Sequence, residues 1–511
     1  MQYLIGVDVG TSGCKAAVFD SAYGLCALAQ REYPTDAPRP GWAEFQPENV
    51  WDAVCGTVRS ALEQLDAGGS GHRFGLAFSV FGDALVVADG AGKACCSGIL
   101  STDVRSAAIA ERIARDIGRE AVFARTGRLP HNSAPAPRMI WVKENLPALA
   151  GADARLYDVL SWLHVRLGLG AVSDYSNASG SMLFDINEKR WCDDLLHYGG
   201  IAELSLYRAV QAGTSLGHPS AEAAHALGFA DAGSVEVVVG AMDQMCNATG
   251  AGAVSPGNLV CSIGTVEAVT VVLDAYVSPR SLMDLNMPRG MGALADQFIT
   301  LVLLWDAGRS LRWLCDRFAV REKERALRAG RSVYDVVLDG EPGDRGVLFL
   351  PHLSGAGTPW QDPASRGAFL GLTTASDLRS LAHAVIAGVT YELRTNVDCL
   401  EAQGMAVDSL KVVGGGARSD VWLQLKADVL ERDVHRLAMG EAGCLGAALL
   451  AGYGCGLFDD LPAASKRYAR VAEVFRPGEH VADHRRRYAI YRQLYPALKS
   501  LHARIARLDG G

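Results

Sequence analysis

The sequence predicts an α/β fold in which two related lobes flank a central cleft. Two apolar runs separated by a Gly-Thr turn at Gly10 and Thr11 predict a β-hairpin over residues 3–19. Residues 259–273 repeat this plan, with a second Gly-Thr pair at the turn. The rest of the chain alternates strand-like and helix-like stretches, which favours an α/β fold. The recurrence about half a chain apart favours two lobes of the same plan.

Composition limits the classes of function. The chain has 511 residues, 49% of them hydrophobic and 21% charged, which is ordinary for a soluble globular protein of two to four domains. Its net charge of −8 argues against a nucleic-acid-binding protein. The 12 cysteines include no C-x-x-C pair, so reduced thiols are expected. The N-terminus runs directly into a strand, and residues 298–305 are too short to span a bilayer, so we expect a cytoplasmic protein without a membrane partner.

Hydrophobic periodicity places the remaining elements. We place the lobe boundary after residue 243, so that residues 1–243 form the first lobe and residues 244–511 form the second lobe with terminal helices. Strands are predicted at residues 74–78, 84–88, 235–240, 346–351 and 409–414, and helices at 48–65, 105–117, 138–144, 245–252, 377–400, 420–430 and 442–452.

The first hairpin carries a candidate anion and metal site. Asp8 ends the first strand beside the turn, where Thr11 and Ser12 offer hydroxyl and backbone N–H groups to an anion. A carboxylate next to a bound phosphate is reasonable when a divalent cation lies between the two negative groups. The alternative is a surface hairpin with a charged shoulder.

A glycine cluster in the second half is a candidate nucleotide site. Residues 410–420 form a strand, a turn at Gly414, Gly415 and Gly416, and the start of a helix. Glycines let a flat ring or a phosphate approach the backbone, and the helix N-terminus adds a partial positive charge. The sequence contains neither G-x-x-x-x-G-K-[ST] nor G-x-G-x-x-G, which argues against a P-loop or a dinucleotide fingerprint. The alternative is a turn without a ligand.

Asp243 is the candidate general base. It follows a very apolar strand, at the position where open α/β sheets place their ligands. A carboxylate there could take a proton from a substrate hydroxyl. The alternative is an N-cap for a helix that begins at Gln244.

These features together resemble the FGGY carbohydrate kinase family of the sugar kinase/actin/Hsp70 superfamily. The resemblance is strongest at residues 414–430 and also covers residues 351–359 and 362–372. It implies two RNase H-like lobes of the actin/hexokinase type flanking the cleft. It also implies that residues 1–243 bind the sugar and residues 244–511 bind the nucleotide.

The resemblance also implies roles for individual residues, with ATP and Mg²⁺ as cofactors. Asp8 is expected to bind Mg²⁺ and, with Asp243 as the general base, to form the catalytic pair. The phosphates are expected to contact Thr11, Ser12, Gly264 and Thr265, and adenosine is expected to contact Gly308, Gly415, Gly416, Ala417 and Asp420. The sugar is expected to contact Phe81, Gly82, Asp83, Asp103, Asp243 and Gln244.

Departures from the family pattern affect the substrate. Arg138 stands where the family's first signature has a lysine, and residues 355–357 replace an acidic-basic pair. Residues 79–83 lack both the Met-His pair of bacterial xylulokinases and the Arg-Glu pair of glycerol kinases. None of these changes replaces Asp8 or Asp243.

The resemblance therefore implies phosphorylation of a terminal hydroxyl of a ketopentose, with D-xylulose favoured. The alternatives are a kinase for L-ribulose, erythritol or gluconate, and a non-catalytic sugar- or nucleotide-binding relative. The expected partners are a small-molecule sugar and ATP, with no nucleic acid. The sequence leaves the oligomeric state open, with a homodimer as one alternative.

Overall fold

The computed structural model describes residues 2–65, 71–150, 154–201, 206–274 and 277–509. Among the helices in these ranges, none combines the length and apolar composition that a bilayer crossing requires. All twelve cysteines are free thiols and most are buried, as the sequence predicts.

The strands in chain order are β1 (Gln2–Gly10), β2 (Gly13–Phe19), β3 (Leu25–Glu32), β4 (Thr35–Asp36), β5 (Glu44–Phe45), β6 (Arg73–Val80), β7 (Val86–Ala88), β8 (Gly98–Ile99), β9 (Arg155–Tyr157), β10 (Val172–Asp174), β11 (Phe184–Asp185), β12 (Arg190–Trp191), β13 (Arg208–Val210), β14 (Ser215–Gly217), β15 (Val235–Val238), β16 (Ala241–Met242), β17 (Asn258–Ile263), β18 (Glu267–Val272), β19 (Gly290–Met291), β20 (Phe298–Leu304), β21 (Leu348–Leu350), β22 (Ala368–Leu370), β23 (Ser409–Val413), β24 (Val434–Leu437) and β25 (Val471–Phe475).

The α-helices are α1 (Pro47–Glu63), α2 (Ala107–Ile113), α3 (Arg119–Thr126), α4 (Pro135–Asn145), α5 (Pro147–Ala150), α6 (Val159–Arg166), α7 (Tyr175–Gly180), α8 (Asp193–Gly199), α9 (Ala221–Leu227), α10 (Asp243–Gly250), α11 (Pro279–Asp284), α12 (Gly308–Phe318), α13 (Val320–Ala329), α14 (Val333–Leu338), α15 (Leu378–Ala402), α16 (Asp420–Leu430), α17 (Ala442–Gly454), α18 (Leu461–Tyr468), α19 (Val481–Tyr491) and α20 (Leu494–Asp509). A π-helix covers Ala114–Gly118, and short 3₁₀-helices cover Ala232–Ser234 and Gly415–Arg418.

The chain forms two compact units. The first unit contains Met1–Val254, Pro288–Ile299 and Glu441–Ala469, and the second contains Ser255–Met287, Thr300–Gly440 and Arg470–Gly511. This division differs from the predicted boundary after residue 243, because two later segments return to the first unit.

The first unit is built on a mixed sheet with the strand order β14-β15-β6-β1-β2-β3. Strand β1 is antiparallel to β2 and parallel to β6, and β15 is parallel to β6 on its other side. Buried side chains between this sheet and α1, α6 and α9 form the main core of the unit, which includes Val7, Val54 and Phe78.

Helix α17 lies against β1 because glycine allows close backbone approach. A Cβ at Gly6 would lie 1.8 Å from the carbonyl oxygen of Cys444. Helix α17 also lies against α10, since a Cβ at Gly446 would lie 1.9 Å from the carbonyl oxygen of Cys246. Side chains at these glycines would push the elements apart, so α17 fixes β1 relative to α10.

The second unit repeats the strand plan of the first. Its central strands follow the order β20-β18-β17-β23-β24-β25. Strand β17 is antiparallel to β18 and parallel to β23, which is itself parallel to β24. In both units the first strand of an antiparallel hairpin pairs along its other edge with a parallel strand. This shared arrangement confirms the predicted α/β class and the relation between the two hairpins.

Candidate functional site

Asp8 is half-buried at the end of β1, close to both polar and charged groups. Ser79 on the neighbouring strand β6 donates a hydrogen bond from Oγ to Asp8 Oδ1 at 2.6 Å. Lys15 lies opposite Asp8 in the β1–β2 pair, and its Nζ forms an ion pair with Glu441 Oε2 at 2.8 Å. Burial and the charge of Glu441 raise the pKa of Asp8, whereas Ser79 and Lys15 oppose the shift.

The first turn of α17 packs directly on the Asp8 side chain. A Cβ at Gly443 would lie 2.9 Å from the Asp8 carboxyl carbon, so any larger residue would displace the carboxylate. The N-terminus of a helix is also the end at which a negative charge is stabilised. Gly443 therefore leaves the space that the Asp8 carboxylate occupies beside the first turn of α17.

Asp243 begins α10, immediately after the short strand β16, which pairs with β6. The residue is half-buried, and its Oδ1 accepts a hydrogen bond from the backbone N–H of Gln244 at 2.7 Å. The helix begins at Asp243 itself and Met242 precedes it, so Asp243 is not the N-cap of a helix that starts at Gln244.

The environment of Asp243 suits a general base. Burial, and after it the charges of Asp8 and Asp83, raise the pKa of Asp243 to about 7, although the Gln244 N–H opposes the shift. A base whose pKa lies near the working pH combines a populated ionised form with useful proton affinity. Asp8 and Asp243 lie in the same unit and interact electrostatically, which the predicted mechanism requires.

The predicted sugar-binding turn leaves one polar group without a partner. Phe81 is buried and packs edge-on against Phe45, and a Cβ at Gly82 would lie 2.2 Å from the Met242 sulfur. Asp83 has a φ of 59°, in the left-handed region, and its Oδ2 accepts from Arg128 Nη2. Its Oδ1 is buried and has no hydrogen-bond partner among the described residues.

Asp103 has a different environment from the other predicted sugar ligands. It is fully buried, and its Oδ1 accepts from the backbone N–H and Nε of Arg105 at 2.8 and 2.9 Å. Its Oδ2 accepts from the backbone N–H of Ala43 and from Arg105 Nη2, both at 2.7 Å. Both carboxylate oxygens are therefore engaged within the protein, and sugar contact by Asp103 stays a prediction.

Arg138 organises the loops around this turn. Its fully buried guanidinium donates to the backbone carbonyl oxygens of Asp83, Leu100 (3.1 Å), Asn132 (2.9 Å) and Ser133 (2.8 Å). Burial lowers the pKa of Arg138 to about 10. From the sequence, Arg138 was identified only as a departure from the family signature. Its role as a hydrogen-bond donor to three loops was not predicted.

Thr11 and Ser12 form the exposed turn between β1 and β2. The carbonyl of Ser12 accepts from the backbone N–H of Tyr33 at 3.1 Å, which anchors the turn. Both residues therefore lie on an exposed, anchored turn, and phosphate contact by Thr11 and Ser12 stays a prediction.

In the second unit, the turn of the β17–β18 hairpin is fastened to the start of α12. The backbone N–H groups of Gly308 and Arg309 donate to the carbonyl oxygens of Gly264 and Thr265 at 3.1 and 3.0 Å. A Cβ at Gly308 would lie 2.3 Å from the Gly264 carbonyl oxygen. The hairpin turn and this helix start, predicted separately as phosphate and adenosine contacts, are neighbours.

The glycine turn before α16 lies against the same hairpin. A Cβ at Gly414 would lie 2.8 Å from the Ile263 carbonyl oxygen, and a Cβ at Gly416 would lie 2.4 Å from the Ile263 side chain. At Gly415 a Cβ would meet no protein atom within 4 Å. One face of the turn is therefore packed on the hairpin, while the backbone at Gly415 is open to a ligand.

The start of α16 follows this turn. Ala417 lies in the 3₁₀-helix Gly415–Arg418, and the Ser419 side chain caps α16 by accepting from the Trp422 N–H at 3.3 Å. Asp420 is exposed at the first position of the helix, and its carboxylate pairs with Arg436. The structure thus brings Gly264, Thr265, Gly308, Gly415, Gly416, Ala417 and Asp420 together in one unit.

Several residues of the site escaped the sequence analysis. Lys15, Ser79 and Glu441 surround Asp8, and Arg128 holds Asp83. The hairpin register alone could have placed Lys15 opposite Asp8, since the turn between them was identified. Ser79 and Glu441 contact the site across long chain separations and gave no local signal. In the described part of the chain, no cluster of three or more His, Cys, Asp or Glu side chains is arranged to hold a metal ion.

Comparison with known proteins agrees with this geometry. Residues 3–250 match the N-terminal domain of the FGGY family of carbohydrate kinases, and residues 259–455 match its C-terminal domain. A xylulose kinase of Bacillus subtilis is 27% identical over 505 residues, covering 98% of both chains. A gluconokinase of the same organism is 28% identical over 516 residues, covering 100% of this chain and 99% of the relative. The crystal structure of a xylulose kinase from Rhodospirillum rubrum superimposes with a TM-score of 0.85 at 26% identity, covering 98% of this chain and 100% of that chain.

Proposed function

Because the chain belongs to the FGGY family of carbohydrate kinases, we propose that it transfers the γ-phosphoryl group of ATP to a terminal hydroxyl of a ketopentose, with D-xylulose as the favoured substrate. The observation that carries the proposal is the environment of Asp243, whose pKa is raised to about 7 beside Asp8 and Asp83. A non-catalytic sugar-binding relative would have no need of such a base.

Asp243 acts as the general base. Its free carboxylate oxygen accepts the proton of the substrate hydroxyl as that oxygen attacks phosphorus, while the Gln244 N–H holds the other oxygen in place. General-base catalysis contributes about 10²–10⁴-fold to a rate. Most of the remaining acceleration of a phosphoryl transfer comes from positioning and charge neutralisation.

Asp8 is the proposed ligand of Mg²⁺. Magnesium in kinases is bound by one or two carboxylates together with substrate phosphates and several waters, so a single half-buried carboxylate fits this requirement. Bound Mg²⁺ would supply neutralisation of phosphate charge. Ser79 orients the carboxylate, and Lys15 supplies a further positive charge beside it.

Nucleotide and phosphate contacts are proposed separately for the two units. In the second unit, the open backbone at Gly415 receives adenosine, and the Gly264–Thr265 turn receives phosphate oxygens. In the first unit, the exposed Thr11 and Ser12 hydroxyls contact phosphate. Backbone N–H groups at glycine turns and helix starts suit such anions.

The charges around the sugar-binding turn favour a neutral sugar over a sugar acid. Arg128 pairs with Asp83, Arg105 pairs with Asp103 and Glu44, and Arg138 donates to four carbonyl oxygens. A gluconate carboxylate would have to compete with these acceptors for a cation.

A panel of acceptors tests the proposal. ADP formation should be measured with ATP, Mg²⁺ and each of D-xylulose, L-ribulose, erythritol, gluconate and glycerol. We expect the highest kcat/KM with D-xylulose. A higher value with gluconate would overturn the charge argument, and turnover with none of the acceptors would favour the binding relative.

A further inference from the structure

A buried ion pair lies behind the nucleotide-binding segments of the second unit. Lys426 Nζ lies 2.8 Å from Glu267 Oε1 and 3.0 Å from Oε2, so one ammonium group engages both carboxylate oxygens. Both side chains have zero solvent exposure. Lys426 also lies 5.7 Å from the ring centroid of Trp422, one turn earlier in α16.

Each partner is close in sequence to a different nucleotide-binding segment. Glu267 is the first residue of β18, two positions after Thr265, and it pairs with Ile263 at the closing end of the hairpin. Lys426 lies within α16, the helix that follows the glycine turn at Gly415. The pair therefore connects the proposed phosphate turn to the helix that carries the proposed adenosine turn.

Stability does not explain this choice of residues. Desolvation of two charges offsets most of their attraction, and apolar pairs of similar volume are often as stabilising or more so. A buried ion pair with two hydrogen bonds fixes the relative orientation of the two elements that carry it, whereas an apolar contact does not. Fixing the register of two elements is the best-attested use of such pairs.

We propose that Lys426 and Glu267 are positioning residues for ATP, whose ion pair fixes the phosphate-binding hairpin relative to the glycine turn before α16. The inference rests on the proposed function only in taking these two segments as the nucleotide site. The ion pair is buried and acts through the backbone of the hairpin, without contact to the nucleotide.

The test compares wild type with the double variant E267L/K426M, which replaces both charges with apolar side chains. ADP affinity is measured by calorimetry with Mg²⁺ and without sugar, and KM values for ATP and sugar are measured separately. We expect thermal stability close to that of the wild type, a dissociation constant for ADP at least about fivefold higher, and an unchanged KM for the sugar. The single variant K426M should be far less stable, because it leaves Glu267 without its cation.

A matched control is T270V on the same strand, whose buried hydroxyl has no hydrogen-bond partner among the described residues. This variant should bind ADP as the wild type does. A folded double variant with unchanged ADP affinity would overturn the inference. An unfolded double variant would overturn it too, since the pair would then be needed for folding rather than for nucleotide placement. Wild-type protein that binds ADP but phosphorylates no sugar would refute only the proposed function.

Discussion

Asp8 and Asp243 lie within electrostatic reach of each other in the first unit, and the charge of Asp8 is the second cause, after burial, that raises the pKa of Asp243 to about 7. Since the base must be ionised to accept a proton, we expect kcat/KM for the sugar to rise about tenfold per pH unit below pH 7 and to level off above it. A pH–rate profile checks this. A rate independent of pH between 5 and 8 would contradict the assignment.

Replacing Asp243 should separate chemistry from nucleotide binding. We expect Asp243→Ala to lower kcat by about 10²–10⁴-fold, because the substrate hydroxyl loses its proton acceptor. ADP affinity, measured by calorimetry, should stay unchanged, since the proposed adenosine contacts lie in the second unit. If this variant turned over sugar at the wild-type rate, Asp243 would not be the general base.

Replacing Asp243 with asparagine should stabilise the folded protein at pH 8. The folded protein holds a proton on Asp243 up to about pH 7, whereas the unfolded chain releases it near pH 4. Ionised Asp243 therefore destabilises the fold above pH 7, by up to about 4 kcal/mol, and this cost disappears as the pH falls below 4. Asp243→Asn should thus unfold at a higher temperature than the wild type at pH 8, and the difference should narrow towards pH 4. Thermal unfolding across this pH range is the measurement, and a constant difference would contradict the expectation.

A methyl group at Gly443 should disturb Asp8. The added Cβ would lie 2.9 Å from the Asp8 carboxyl carbon, so we expect Gly443→Ala to displace the carboxylate and to lower kcat at least about tenfold. Gly440→Ala is the control, because a Cβ there would meet no atom within 4 Å. Steady-state kinetics of both variants decide the matter. Equal activity of the two would show that Asp8 tolerates displacement.

Two glycines of the second unit should respond differently to alanine. Gly308→Ala would place its Cβ 2.3 Å from the Gly264 carbonyl, so we expect a lower unfolding temperature and weaker ADP binding. Gly415→Ala meets no protein atom, so it should leave the unfolding temperature unchanged and weaken only ADP binding. Thermal unfolding and calorimetry test both variants. Normal ADP affinity in Gly415→Ala would place the adenosine elsewhere.

Replacing Arg138 with lysine should lower both the stability of the protein and its affinity for the sugar. Lysine cannot donate to four carbonyl oxygens at once, so we expect Arg138→Lys to destabilise the protein by about 2–4 kcal/mol and to raise the KM for the sugar. The exposed Arg115, changed to lysine, serves as the control and should be neutral. Urea unfolding and sugar kinetics provide the comparison, and an Arg138→Lys variant as stable as the control would be inconsistent with this role.

Local patterns predicted a large part of this structure. Helix α16 has the predicted bounds, and both Gly-Thr hairpins form where the alternating apolar runs place them. Long-range contacts were not predictable in this way. Ser79 reaches Asp8 across 71 residues and Lys15 reaches Glu441 across 426, separations over which no periodicity applies. For the same reason the sequence did not reveal that Glu441–Ala469 belongs to the first unit.

The return of Glu441–Ala469 to the first unit has a consequence for biosynthesis. Strand β1 leaves the ribosome before the helix that covers Gly6, which is made only after more than four hundred further residues. The sheet of the first unit therefore has one incomplete face until α17 has been synthesised. We expect a truncation before residue 441 to leave that face uncovered and to destabilise the unit that is synthesised first.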